Sequence, residues 1–103
     1  MRAKDSVPEL LKLLKDEVGW VRGSAAYALG SLGVQESVPE LLKLLGDEQV
    51  GVRGYAGIAL VELGAKDRVP ATVIADIRMI SETELLDDQD TKRTWDALKE
   101  LGF

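Results

Sequence analysis

The sequence predicts an all-α fold, a short α-solenoid of three antiparallel helical hairpins with about six helices, forming one domain over residues 1–103. Three observations predict it. Residues 6–36 and 37–67 align without gaps and share 19 of 31 positions, so the chain is internally duplicated. Within each unit the apolar residues recur at helical spacing: Val7, Leu10, Leu11, Leu13 and Leu14, then Val21, Ala25, Ala28, Leu29 and Leu32. Pro and Gly punctuate the pattern at matching places in both copies, and no stretch alternates in the manner of a strand.

The elements follow in order. Ser6 before Val7-Pro8-Glu9 is a helix start, with Ser as N-cap, Pro in the first turn and Glu9 three residues on as capping-box partner; Ser37-Val38-Pro39-Glu40 repeats it. The turns at Asp16-Glu17 and Asp47-Glu48 are short enough to force antiparallel hairpins. Gly33 and Gly64 follow the last apolar residue of each second helix, where a left-handed C-cap belongs. A third copy, residues 68–103, opens at Arg68-Val69-Pro70 and closes at Ala97-Leu98-Lys99-Glu100-Leu101-Gly102, with an offset of 38 instead of 31. Its seven extra residues are close to two helical turns, enough to lengthen a helix while keeping its apolar face inward. Residues 69–86 form either one long helix or two, with a break at Ser81-Glu82-Thr83-Glu84, where Ser81 and Glu84 make a second capping box. Ala3-Lys4-Asp5-Ser6-Val7-Pro8 echoes Ala65-Lys66-Asp67-Arg68-Val69-Pro70, so the chain opens at a seam between repeats.

The string D-x(4)-VR-x(2)-A-x(2)-AL-x(2)-LG occurs as Asp16…Val21-Arg22…Ala25…Ala28-Leu29…Leu32-Gly33 and again as Asp47…Val52-Arg53…Ala56…Ala59-Leu60…Leu63-Gly64. It resembles the HEAT-like repeat of the phycobilisome-lyase (E/Z) type over about two thirds of the chain. The resemblance implies a solenoid with first helices on the convex side and second helices lining a concave groove. It also implies that Arg22 and Arg53 pair with the turn aspartates Asp16 or Asp47, in a structural ladder between neighbouring hairpins. The third copy departs from the pattern: Thr91 stands at the arginine position, Trp95 replaces the small residue of Ala26 and Gly57, and Thr72-Val73 replaces Leu41-Leu42. An atypical terminal repeat of this kind reads as a cap.

Composition narrows the chemistry. Histidine and cysteine are absent, which removes disulfides, thiolate nucleophiles, the usual zinc ligands and imidazole acid–base catalysis. Thirteen basic against eighteen acidic residues give a net charge of −5, the wrong sign for binding phosphate backbones. No segment approaches the roughly 18 apolar residues of a membrane span, and a cytoplasmic chain is expected. The carboxylates at Asp16-Glu17 and Asp47-Glu48 read as caps at turns. The acidic stretch Glu82, Glu84, Asp87, Asp88, Asp90 lacks the Gly and closing Glu of a calcium loop, so neither a metal nor a cofactor is expected.

The residues that differ between copies on a constant framework mark the working surface. Spacings of three, four and seven place Trp20, Ser24 and Tyr27 on one face of the first hairpin's second helix, and Tyr55, Ile58 and Glu62 on the matching face of the next. Arg93 joins them from the third copy. Trp, Tyr and Arg are enriched at binding hot spots, and three of the chain's five aromatics fall here. The expected function is therefore a non-catalytic scaffold that binds a peptide or partner domain in this groove. Alternatives are a phycobilisome-lyase-like subunit acting on bilin attachment, a fragment of a longer solenoid, and self-association through an uncapped face of the first repeat. The resemblance also covers iron hydroxylases, excluded by the lack of His, and DNA glycosylases, disfavoured by the charge.

Overall fold

The computed structural model describes residues 6–83 and 88–102. Among them are six α-helices and no strand: α1 (Val7–Leu13), α2 (Gly19–Ser31), α3 (Val38–Leu44), α4 (Val50–Glu62), α5 (Ala71–Thr83) and α6 (Asp88–Glu100). The protein is an all-α, short α-solenoid. Three-residue 3₁₀ turns at Gln35–Ser37 and Lys66–Arg68 join one hairpin to the next.

The two matched hairpins each combine a seven-residue first helix of identical sequence, VPELLKL, with a 13-residue second helix. Both second helices end in a Schellman motif. Gly33 (φ +71°) donates to the Gly30 carbonyl and Val34 to that of Leu29; Gly64 (φ +84°) donates to Val61 and Ala65 to Leu60. The left-handed conformation at these two positions is what glycine permits without steric cost.

The helix starts are built differently from the expected capping boxes. Ser6 and Ser37 hold the N-cap positions, but neither side chain makes a cap hydrogen bond. Ser37 enters from the 3₁₀ turn already in helical conformation (ψ −12°), not extended as a capping residue requires. Its buried Oγ instead donates backward to the Val34 carbonyl at 2.7 Å. The glutamates face along the helix, Glu40 to Lys43 and Glu9 to Lys12.

Helix α4 is the centre of the fold, packed against α2, α3, α5 and α6. Five consecutive residues, Ala56 to Leu60, are buried on it, so this stretch of the helix is enclosed on every side. Glycines set the approach distances. A Cβ at Gly30 would lie 2.7 Å from the Cα of Ala59, and one at Gly23 would lie 3.2 Å from the Tyr55 ring. On the opposite side of α4, a Cβ at Gly57 would lie 2.7 Å from Val73 Cγ1, and Gly54 faces Ile80 and the Asp76 carbonyl.

The third hairpin changes the packing. Helix α5 continues unbroken through Thr83, with Ser81 inside it, and Glu84 lies outside the described residues. Its 13 residues against seven in α1 and α3 match the expected lengthening. The added turns, however, let α5 lie along the Gly54 and Gly57 face of α4, as α4 lies along the Gly23 and Gly30 face of α2. The element stacked on α4 is thus the first helix of the last hairpin, and α6 closes over α4 and α5. Among the described side chains of α6, Thr94, Ala97 and Leu98 are buried, while Trp95 remains 45% exposed.

The glycine contacts make opposed predictions. Gly30→Ala gains helix propensity but meets backbone that cannot yield, and should destabilise the protein by about 1–3 kcal/mol. Gly51→Ala enters open space and should stabilise it by up to about 1 kcal/mol. Urea denaturation of both variants checks the pair.

Candidate functional site

The residues singled out in the sequence form two sets: an arginine–aspartate ladder between hairpins, and an aromatic surface along the second helices. The ladder begins at Arg22, four residues into α2 and 9% exposed. Its Nε and Nη2 grip both oxygens of Asp47 at 2.9 and 3.1 Å, while Nη1 donates to the carbonyls of Asp16 (2.7 Å) and Glu17 (3.1 Å). One guanidinium therefore closes the turn of its own hairpin and binds the turn of the next. Asp47 also accepts the Gln49 amide at 2.9 Å, starting α4. Arg53 repeats the pattern one step on, donating to the Asp47 carbonyl at 2.8 Å and to Asp76 at 2.8 and 3.3 Å.

Burial pushes the Asp47 carboxyl up, but the Arg22 hydrogen bond, the Gln49 amide and the charges of Arg22 and Arg53 outweigh it and hold it below its ordinary value. The hydrogen bonds to Asp47 and Asp76 raise Arg22 and Arg53 respectively.

Of the aspartates considered for the ladder, Asp47 takes a guanidinium on its carboxylate and Asp16, among the described residues, does not. Asp16 contributes its carbonyl to Arg22, and its Oδ1 accepts the Val18 amide at 2.8 Å. The carboxylate that serves Arg53 is Asp76, which the repeat spacing misses because it sits in the middle of α5, not in a turn. A sequence signal for it exists: Asp76 is the one acid among Val73, Ile77 and Ile80 on the face that packs on α4.

The aromatic surface is only partly as expected. Trp20, at the start of α2, is 74% exposed. With Ser24 and Tyr55 it borders a shallow cavity of about 380 Å³, whose other walls include Gly19, Gly23 and Gly51. Gln49, which the sequence reading did not single out, also lines it, its side chain lying over Gly19. Tyr27 and Tyr55 are half-buried and meet edge to face, ring centroids 5.0 Å apart.

Ile58 is a correction. It is 0% exposed, in the core, because it lies on the enclosed stretch of α4, whereas its counterpart Tyr27 lies on a helix with one open side. Glu62 and Arg93 come together, but on each other. Arg93 Nε donates to Glu62 Oε2 at 2.7 Å, its Nη2 contacts Glu62 Oε1 and the Tyr27 carbonyl (3.0 Å), and the guanidinium lies 3.6 Å from the Tyr27 ring centroid. The polar capacity of this end of the surface is thus turned inward. The side chains of the acidic stretch 82–90 lie outside the described residues. Among the described residues no group of three or more acidic side chains is arranged to hold a metal ion, and no helix is long and apolar enough to cross a membrane.

Asp47→Asn keeps the acceptor for Gln49 but loses the ion pair, and should cost about 1–2 kcal/mol; Asp16→Asn keeps the acceptor for Val18 and loses no guanidinium of the described residues, and should stay within about 0.5 kcal/mol. Because the folded-state Asp47 is the stronger acid, its contribution is present above the unfolded carboxyl pKa and lost as pH falls through the lower folded value. Thermal melts across the acidic range should therefore show a flatter loss of stability in Asp47→Asn than in the wild type.

No curated protein matches the chain. The family model for HEAT repeats matches residues 1–79, ending within α5, where the packing departs from the repeat. The internal duplication, the stacked hairpins and this match together establish that the chain belongs to the HEAT-repeat family.

Proposed function

We propose that the protein is a non-catalytic interaction scaffold, and that it captures a peptide or a partner domain at the cavity between the N-terminal ends of α2 and α4. The observation that carries this reading is Trp20. A tryptophan three-quarters exposed, on a rigid helix and beside a glycine-walled cavity, offers a large apolar surface whose burial a partner would gain and whose own folding does not require it. Ser24, Gln49 and the Tyr55 edge supply polar contacts around it. Tyr27, Glu62 and Arg93 act in this reading as the internal support that holds Tyr55 in place, not as ligands. The Val-Arg and Ala-Leu-x-x-Leu-Gly pattern, with arginines bridging hairpins, supports assigning the repeats to the phycobilisome-lyase type.

Trp95 supplies the control, being also exposed but on α6 and not among the walls of the cavity. Trp20→Ala should leave the melting temperature within about 0.5 kcal/mol equivalent of the wild type, and abolish retention of a protein from native-source lysate that wild type and Trp95→Ala both retain. Equal retention by all three would remove the cavity from the reading.

A further inference from the structure

The turn pairs Asp16-Glu17 and Asp47-Glu48 read as caps, but in the structure the aspartates do the capping, accepting the Val18 and Gln49 amides at 2.8 and 2.9 Å. The Glu17 and Glu48 side chains are exposed and take no hydrogen bond or ion pair from the described residues. Their backbone is nonetheless fixed. The Glu17 carbonyl accepts Arg22 Nη1 at 3.1 Å, and the Asp47 carbonyl, next to Glu48, accepts Arg53 Nη1 at 2.8 Å. Two carboxylates with no part in the fold therefore stand at set places one repeat apart. Glu17 lies two residues before Gly19 and Glu48 lies next to Gln49, and Gly19 and Gln49 are walls of the Trp20 cavity.

Charge at this rim is unbalanced. Arg22 is held by Asp47 and Arg53 by Asp76, and Lys15 is offset by Asp16. The positive ends of α2 and α4 amount to about half a charge each, less than the two remaining carboxylates. No acidic or basic side chain lines the cavity itself, whose widest apolar surface is the exposed Trp20 indole. An aromatic face beside carboxylates attracts a cation and repels an anion. The chain already shows such a contact at the other end of the same aromatic row: the Arg93 guanidinium lies 3.6 Å from the Tyr27 ring centroid and binds Glu62. Trp20 with Glu17 and Glu48 offers the same pairing of ring and carboxylate, facing outward.

We propose that the occupant of the Trp20 cavity is a basic, extended segment of a partner protein carrying two arginines three positions apart, their guanidiniums shared between the Trp20 face and the Glu17 and Glu48 carboxylates. The spacing follows from the repeat. Packed helices stand about 8–10 Å apart, so equivalent residues of adjacent hairpins are spanned by about three residues of extended chain at about 3.3 Å each. The Gln49 amide and the Ser24 hydroxyl serve the backbone of the segment between them. This proposal rests on reading the Trp20 cavity as the binding site and adds the chemistry of what it takes.

The test uses the full chain carrying Trp95→Phe, which leaves Trp20 as the single tryptophan emitter. The probes are three blocked peptides: acetyl-Gly-Arg-Pro-Ala-Arg-Pro-Gly-amide, the same peptide with citrulline for both arginines, and the same with glutamate. The arginine peptide should shift the Trp20 emission and bind at least about tenfold more tightly than the other two. Glu17→Gln with Glu48→Gln should keep the parent melting temperature and remove that preference. The same loss of charge at Glu36 and Asp67, in the connectors at the far ends of α2 and α4, should leave it intact. Citrulline or glutamate peptide bound as tightly as arginine, a preference that survives the Glu17 and Glu48 substitutions or is lost equally in the connector variant, or no response to the arginine peptide at about 1 mM, would overturn the proposal. Any of these leaves the interaction scaffold standing while Trp20→Ala still abolishes retention from lysate; if Trp20→Ala also retains the partner, both readings fall.

Discussion

Room around α4 is the constraint on which this structure depends. A helix packed by four others cannot carry large side chains all round, because interiors are close-packed and backbones must approach to exclude voids. The sequence answers with small residues on both contact faces: Gly30 of α2 set against Ala59, and Gly57 of α4 set against Val73. Each such glycine gives up about 1 kcal/mol of helix propensity relative to alanine, a cost offset by burying Leu60, Ile58 and Val52 almost completely. Register between the hairpins follows from these contacts, since a shift along the helix axis would drive a side chain into backbone.

The arginine ladder acts on that framework as a set of clips. A guanidinium has more donors than one carboxylate can use, and here the surplus goes to turn carbonyls that would otherwise lack partners. The geometry is bidentate and shielded, the conditions under which an ion pair does more than decorate a surface. It also places a charge at every junction, which favours the native stacking over displaced alternatives that would leave Arg22 buried without Asp47.

Much of this was legible from the residues because duplication exposes it: hairpins, turns and C-cap glycines follow from comparing two aligned copies, while the arginine ladder was implied by the family resemblance, with Asp16 and Asp47 both open as partners. The failures share a cause. Ile58 was read from its counterpart Tyr27, and Asp76 was missed because no turn aspartate precedes it at repeat spacing; in both cases the third hairpin, which is not a copy, decides the environment. Ser37 misled for a local reason, since the 3₁₀ turn before it fixes a backbone conformation that the capping pattern does not encode. Exposure of Trp20, likewise, depends on which neighbours exist, and helical periodicity alone does not count neighbours.

Arg93 makes one contact of a different kind. Repeat proteins are held together mainly by interactions between adjacent units, so their stability approximates a sum along a line and their ends can unravel independently. The guanidinium on Tyr27, 66 positions away, joins the last helix to the first hairpin while also holding Glu62 of the one between. Such a link closes the line into a loop: losing α6 weakens α2 as well as α4, and opening the first hairpin removes the Tyr27 ring and carbonyl from a guanidinium that Glu62 alone then holds. The consequence is a contact that favours cooperative melting, because it couples units that nearest-neighbour packing alone would allow to fray separately.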